Sequence, residues 1–386
     1  MSRNPLQDVV IIASYNTQQA RRLEGANDMS LMLEVIPALL ERAGVGADQV
    51  DGVNVSTPVW GLNGRETIQL LGGQPRWCGN EFMGIAAVLE AAGAIATGQA
   101  EMIMIAHAQA GEYSYGEATS PWTRPTHEFS ECWGLYTAAE FAFCAQRHMH
   151  LYGTRQEALA EVAATIRRNG NKNPKGCFYD RGEVTPEDVL ASRMVASPFH
   201  LLDCCINSEG GGGLMLTTAE RARDLDVVPI HILGGGTDRQ GMAYTRAPVW
   251  DTYGWVGRRA AERSFEMAGL RPTDVDVCEF YDPFSFEIIR QFEAFGFCAE
   301  GEGGDFVMDG RIAVDGEFPV VTNGGTLSFS HAGTLQMLQK VISGYEQLSG
   351  QLPAELTVPD ANVAIASNGG SGALFCDVML MGREPT

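Results

Sequence analysis

Three positions in this chain combine a reactive side chain with a suggestive setting. Tyr281 closes the apolar segment Val275–Tyr281 and is followed at once by Asp282. His331 stands in a Gly/Ser-rich turn, Ser330-His331-Ala332-Gly333, ahead of a helical pattern. Glu81 precedes the small-residue segment Gly84–Thr97, where a helix dipole would favour its carboxylate. A tyrosine hydroxyl titrates near ~10 and must be hydrogen-bonded or tuned before it moves a proton. A histidine titrates near neutrality and can donate to an oxyanion or carry a proton. Such groups suit proton transfer and oxyanion stabilisation. Each also has a plain structural reading. Tyr281 can be a buried strand-end tyrosine, Asp282 a cap of a helix starting near Phe284, His331 a surface turn residue and Glu81 a helix-start carboxylate.

Other reactive groups carry less. The nine cysteines, at 78, 132, 144, 177, 204, 205, 278, 298 and 376, include no CxxC pair, so neither a zinc knuckle nor a redox motif is signalled. Most have apolar neighbours, as in Phe143-Cys144 and Phe375-Cys376, which reads as reduced core thiols in a cytoplasmic protein. Gly210–Gly213 is followed by no P-loop lysine, so tight packing is favoured over a phosphate cradle. Gly369, Gly370 and Gly372 allow close backbone approach, to a ligand or to a neighbouring strand. Tyr113, Tyr115, Trp122, Trp133 and Tyr136 could line an apolar tunnel or be buried at a dimer interface.

The elements that must position these residues alternate between apolar strands and amphipathic helices. Strands are expected at Val9–Ser14, Val50–Val55, Met102–Ala106, Gly212–Thr217, Val227–Leu233, Val275–Tyr281, Val363–Ala366 and Leu374–Leu380. Helices are expected at Leu31–Ala43, stopped by Gly44, and at Gly84–Thr97. The alternation argues for a parallel or mixed sheet covered by helices, hence an α/β class. Residues 111–200 lack the pattern at first, then give helices around Tyr136–Tyr152 and Glu157–Asn169, and read as an inserted loop domain. The chain also repeats itself. Ala43-Gly44-Val45 leads to Val50-Asp51, and Ala268-Gly269-Leu270 leads to Val275-Asp276 at the same spacing. This is a duplicated half rather than a solenoid repeat.

Composition narrows the classes. The 386 residues are 45% hydrophobic, enough for a substantial core. Lys+Arg total 27 against 48 Asp+Glu, a net charge of −21, which disfavours nucleic acid or an anionic membrane as partner. No apolar run approaches a membrane span, and nothing at the start reads as a targeting signal.

Several blocks in a fixed order make the sequence similar to the thiolase superfamily over nearly its whole length. They are the Ala87/Ala91/Ile95/Gly98 ladder after Gly84, Leu201-Leu202-Asp203-Cys204-Cys205 running into Ser208-Glu209-Gly210, and Cys278-Glu279-Phe280-Tyr281-Asp282-Pro283-Phe284. Gly296-Phe297-Cys298, Thr322-Asn323-Gly324-Gly325 with Ser330-His331-Ala332-Gly333, and Asn368-Gly369-Gly370-Ser371-Gly372 follow. The nearest branch is that of the sterol-carrier-protein-type thiolases and lipid-transfer thiolase-like proteins. The resemblance implies two βαβαβαββ halves in a five-layered α/β/α/β/α arrangement, 1–225 with the inserted loop domain at about 111–200, and 226–386. It implies a homodimer as well.

Where the family carries its nucleophilic cysteine, counting back along the ladder gives Glu81, with Cys78 three residues upstream as the alternative. The family's second cysteine falls at Ala366, and its paired histidines fall at Tyr281 and His331. Without those thiols no thiolate attacks a thioester. What remains is a site that stabilises an enolate, which is what a retro-aldol cleavage needs beside a base and an acid. The pattern is similar to the steroid side-chain aldolases. Those cleave a 17-hydroxy-20-carboxyl-CoA side chain to a 17-ketosteroid and a short acyl-CoA, and they work with an OB-fold/zinc-ribbon partner as a heterotetramer. They have a second tyrosine where this chain has His331.

The resemblance thus implies catalytic roles for Tyr281, His331, Asp282 and Glu81, and substrate contacts at Gly324, Gly325, Gly369, Gly370, Tyr113 and Trp122. No tightly bound cofactor and no metal are expected, with coenzyme A entering as part of the substrate. No strong basic cluster marks a site for its phosphates; Arg167, Arg168, Lys172 and Lys175 come nearest. Two other readings stay open. One is a thiolase using Cys78 in a shifted register, the other a non-catalytic acyl-CoA-binding subunit.

Overall fold

The computed structural model describes residues 4–56, 66–67, 72, 76–111, 137–241 and 250–386. Eleven strands are formed among them: β1 (Val9–Asn16), β2 (Gly52–Ser56), β3 (Trp77–Cys78), β4 (Met102–Gln109), β5 (Met194–Ala196), β6 (Phe199–His200), β7 (Gly210–Thr218), β8 (Ile230–Arg239), β9 (Val277–Glu279), β10 (Val363–Gly370) and β11 (Phe375–Gly382). The principal helices are α1 (Asp28–Ala43), α2 (Gly84–Ala96), α3 (Thr137–Tyr152), α4 (Gln156–Lys172), α5 (Pro186–Ala191), α6 (Arg258–Ala268), α7 (Ser285–Ala294) and α8 (Leu335–Leu348).

Nine of the strands form one mixed sheet in the order β3-β2-β4-β7-β1-β8-β11-β10-β9. The order is a mirror about the β1–β8 seam. From the seam outwards each half runs through its first strand, its last, the one before that and then its second. The third strand of the second half survives as a single parallel bridge between Cys278 and Val320, where β3 stands in the first half.

The repeat read in the sequence is the local signature of this mirror. Gly44 (φ 66°) and Gly269 (φ 67°) each end a helix in the left-handed conformation, which spares a Cβ clash that another residue would suffer. Asp51 and Asp276 then do the same job in the two halves. Asp51 accepts the amides of Glu101 and Met102, both at 2.9 Å. Asp276 accepts those of Asn362 and Val363 at 2.8 and 2.9 Å.

Strand periodicity sorts the core into layers. On β1, Val9 and Ile11 face a central cluster with α2 and α8, while Val10 and Ile12 face α1 on the other side. In the second half Ile230, Ile232, Met379 and Met381 face the centre, and Leu233, Val378 and Leu380 turn outwards with Ala260, Ala261 and Phe265 of α6. A section through the molecule therefore passes α1, sheet, α2 with α8, sheet and α6, which are the five expected layers. The two central helices touch closely. A Cβ added at Gly84 would lie 2.2 Å from the Met337 carbonyl carbon, so only glycine permits that approach.

The strands run longer than expected at several ends; β4 extends to Gln109 rather than Ala106, and β10 to Gly370 rather than Ala366. β9 is shorter, stopping at Glu279, so Tyr281 lies beyond the strand. No helix among the described residues is long and apolar enough to cross a membrane.

Candidate active site

Tyr281 follows β9 in the loop that leads into α7 and is held on both sides of its backbone. Its amide donates to Ser367 Oγ at 3.0 Å, and Gln291 Nε2 of α7 donates to its carbonyl at 2.8 Å. Ser367 in turn donates to Gln291 Oε1. The backbone thus fixed, the phenol O–H donates to Gln336 Oε1 on α8 at 2.6 Å.

Asp282 is fully buried and its charge is completely engaged. Oδ1 accepts the Thr326 amide at 3.0 Å, Oδ2 accepts the Leu327 amide at 3.1 Å, and Lys340 Nζ of α8 donates to Oδ1 at 2.5 Å. Lys340 is buried as well. The expectation that Asp282 caps the helix near Phe284 is corrected. α7 has no side-chain cap, and the carboxylate instead receives the amides of the turn Gly325–Phe329. The reason is that the turn, 44 residues downstream, presents free N–H groups, whereas the first turn of α7 lies on the other side of Pro283. Asp282 thus ties the turn that precedes His331 to α8.

His331 follows that turn. Its amide donates to Ser208 Oγ at 2.7 Å, and Ser330 Oγ donates to Gln19 Oε1 at 2.7 Å. Its Nδ1 is buried with no hydrogen-bond partner among the described residues. Burial, and then the nearby Lys340 charge, push its pKa down to about 4. The imidazole is therefore neutral at physiological pH, a donor through one nitrogen and an acceptor through the other. α8 links these residues: Gln336 accepts the Tyr281 phenol, Lys340 donates to Asp282, and His331 lies four residues ahead of its first residue, Leu335.

Glu81 is placed differently from the expectation. α2 begins at Gly84 with Met83 as its cap, so Glu81 lies three residues ahead of the helix. Its Oε1 accepts the amides of Phe82 and Met83 at 2.9 and 2.8 Å, a local turn of its own making. No hydrogen bond among the described residues links it to Tyr281 or His331. Its charge is felt instead by the Arg239–Asp377 ion pair.

The missing Cβ of each glycine named from the sequence leaves space that protein fills: a Cβ at Gly324 would lie 2.3 Å from Gly170, one at Gly325 2.3 Å from the Asp282 carboxylate, and ones at Gly369 and Gly370 would meet Phe375 and Glu287, so any ligand contact there is through the backbone. Tyr113 and Trp122 lie outside the described residues, as do Tyr115, Trp133 and Tyr136. Arg167 is spent on the carbonyls of Leu202 and Cys204, at 2.8 and 3.0 Å.

Two thiols lie near these residues in the fold or the sequence. Cys78 is exposed at the end of β3, upstream of Glu81. Cys205 abuts the Tyr281 loop, its amide donating to Pro283 at 2.9 Å, which the sequence did not signal. Burial, followed by the Asp282 charge, pushes this thiol up to about 12, so it stays protonated at neutral pH. Ala366, where the resemblance puts the family's second cysteine, is buried. The supporting residues Gln336, Lys340, Gln291, Ser208 and Ser367 also went unread, because each meets its partner across a long sequence separation. Among the described residues no group of three His, Cys, Asp or Glu side chains is arranged to hold a metal.

A model of the thiolase C-terminal domain-like family matches residues 234–383. The steroid side-chain-cleaving aldolase of Thermomonospora curvata is 30% identical over 382 aligned residues, spanning 91% of this chain and 94% of that one. The 17-hydroxy-3-oxo-4-pregnene-20-carboxyl-CoA lyase of Mycobacterium tuberculosis is 34% identical over 282 residues, 69% of this chain and 71% of that one. The solved structure of the Ltp2-ChsH2(DUF35) aldolase superimposes with a TM-score of 0.82 at 27% identity, covering 97% of this chain and 98% of that one. The chain belongs to the thiolase superfamily, in its sterol-carrier and lipid-transfer branch, and its class there is carbon–carbon lyase.

Proposed function

We propose that the chain catalyses a retro-aldol cleavage of a bulky β-hydroxyacyl-CoA, of steroid side-chain type, to a ketone and a short acyl-CoA. The observation that carries this is the neutral His331 imidazole ahead of α8 together with the Tyr281 phenol bonded to Gln336 in the first turn of that helix, beside a Cys205 thiol that stays protonated. In the step, the β-hydroxyl loses its proton, the bond between the α- and β-carbons breaks, and its electron pair becomes the thioester enolate. The enolate carbon then takes up a proton. The proton lost equals the proton gained, so no external reagent is consumed.

His331 is cast as the donor to the enolate oxygen. A neutral imidazole ahead of a helix N-terminus polarises a carbonyl without surrendering a charge-bearing proton. Tyr281 is cast as the group that moves the proton between oxygen and carbon, with Gln336 orienting its hydroxyl. Asp282 and Glu81 act on this reading through position and field. Coenzyme A enters only as part of the substrate, and substrate contacts are assigned to the backbone of Gly324, Gly325, Gly369 and Gly370 and to Tyr113 and Trp122. The halves join at 225/226, between β7 and β8. The assembly is proposed as a homodimer that recruits an OB-fold/zinc-ribbon partner. The similarity to an aldolase solved together with a DUF35 protein supports that reading.

The test is direct incubation of the protein, with and without such a partner, with a 17-hydroxy steroid side-chain CoA ester. Release of the 17-ketone and a short acyl-CoA in equal amounts is expected. An intact ester after incubation with a partner that activates a related aldolase sinks the proposal.

A further inference from the structure

On the inner face of β4 the apolar pattern breaks where it nears the site. Ile103 and Ile105 point into the central core, and the same face continues with His107 and Gln109. Both are almost wholly buried, at 0% and 2% exposure. Gln109 Nε2 finds no hydrogen-bond partner among the described residues, and the His107 ring meets the Thr334 backbone through one nitrogen, which leaves the other unpaired. A buried polar group left unpaired costs stability, so two in succession on one strand call for a reason.

Their surroundings supply it. Gln109 Oε1 sits 1.7 Å from where a Cβ on Gly333 would be, so the glycine exists to admit it. Gly333 has φ +46°, a conformation that also favours glycine. The Thr334 backbone faces the His107 ring. Ser56, paired beside His107, brings its Oγ to 3.4 Å from Thr334 Oγ1. The wall opposite β4 is thus the turn from His331 to Thr334, which carries the unpartnered His331 Nδ1. The place is the C-terminal end of the parallel strands β2 and β4, where sheets of this class admit ligands.

We infer that His107 and Gln109 form a subsite for an alcohol oxygen, and that the substrate's β-hydroxyl, before it becomes the ketone, occupies it. The inference rests on the retro-aldol reading of the site. The complementarity is specific. Burial pushes the His107 pKa down to about 4, so the ring stays neutral and keeps one nitrogen as an acceptor. Gln109 Nε2 is a donor only. A hydroxyl offers a hydrogen to the first and a lone pair to the second. A carboxylate or an enolate has no hydrogen for the imidazole, and a methylene satisfies neither group. His107 and Gln109 are accordingly specificity residues for the hydroxylated chain.

The test measures binding in a Tyr281→Phe background, so that the ligand is not consumed, using a β-hydroxyacyl-CoA and its counterpart lacking the hydroxyl. The hydroxylated ligand should bind about tenfold tighter or more, the scale of paired hydrogen bonds in a buried site. Q109L and H107F should each erase that preference while leaving affinity for the plain acyl-CoA unchanged. On the unsubstituted protein, imidazole nitrogen NMR gives a second reading that needs no folded variant. The His107 resonances should move with the hydroxylated ligand and stay still with the plain one. A preference that survives both substitutions, or resonances that respond equally to both ligands, overturns the subsite. If the hydroxylated ester shows the preference yet the wild type never cleaves it, the subsite stands and the aldolase reading fails. Cleavage with no preference fails the subsite alone.

Discussion

At the scale of single residues, the phenol of Tyr281 is the group whose loss tells most. Its backbone is fixed by Ser367 and Gln291 independently of its hydroxyl, so Tyr281→Phe removes one oxygen and little else. A proton-transfer group is worth about 10²–10⁴ in rate, so kcat for ester cleavage should fall by that factor while the melting temperature stays near that of the wild type. Retained turnover in Y281F would take the residue out of the chemistry. His331 makes a different statement. With its pKa at about 4, it is neutral well below the value of an ordinary histidine. A rate profile for Tyr281-dependent cleavage should therefore show no fall near pH 6.5, and an acid limb there would mean that the imidazole is exposed and ionising. Both residues were singled out through the blocks they share with the thiolase superfamily, His331 in a Gly/Ser-rich turn and Tyr281 at the end of an apolar segment. Glu81 lies three residues ahead of its helix, and its carboxylate accepts the amides of Phe82 and Met83, an arrangement that a carboxylate near a small-residue helix does not announce in sequence.

At the scale of elements, α8 and the turn Gly325–Phe329 determine whether the site exists at all. Asp282 and Lys340 form a fully buried pair that locks the turn to the helix. Removing one member of such a pair leaves the other charged and unsolvated, at a cost of about 3–5 kcal/mol. Asp282→Asn and Lys340→Met should each lower unfolding stability by that order in denaturant titrations. They should disturb the His331 resonances as well, since the turn carries that residue. Substituting both partners should be milder than the sum of the single changes, because neither charge is then stranded. None of this pairing could be read from sequence. Helix periodicity announced α8, but a lysine on its buried face meets an aspartate 58 residues earlier, and local patterns carry no information about such partners. The strands were legible to within a few residues because alternation and apolar runs are local. β9 ended early because its neighbour beyond is a single bridge at Val320, leaving too little ladder to hold Tyr281 in the strand.

At the scale of the whole molecule, the mirrored halves were visible in a short repeat because both copies need the same glycine stop and the same aspartate clamp. The site is not mirrored. On the proposed reading its chemistry comes from the second half and its polar subsite from β4 of the first, so both halves must be folded for either to act. That coupling has a consequence for stability against pH. The fully buried His107 and the half-buried His331, whose Nδ1 is enclosed, are neutral in the fold, with pKa values of about 4 against 6.5 when exposed, so between those values the unfolded chain holds more protons than the folded one. Stability arising from them rises with pH across that window and is lost on acidification. Glu346, whose carboxyl burial pushes up to about 7 from 4.5, works in the opposite sense: the folded chain holds its proton longer, and stability falls as pH rises through the interval. Chemical unfolding at about pH 7 and about pH 5 separates the two. On going to the lower pH, the wild type should lose stability relative to His331→Asn and gain it relative to Glu346→Gln. The same sign of change for both variants would mean that at least one of these groups meets solvent in the folded protein. For His331 that would dissolve the neutral imidazole on which the proposed enolate stabilisation depends.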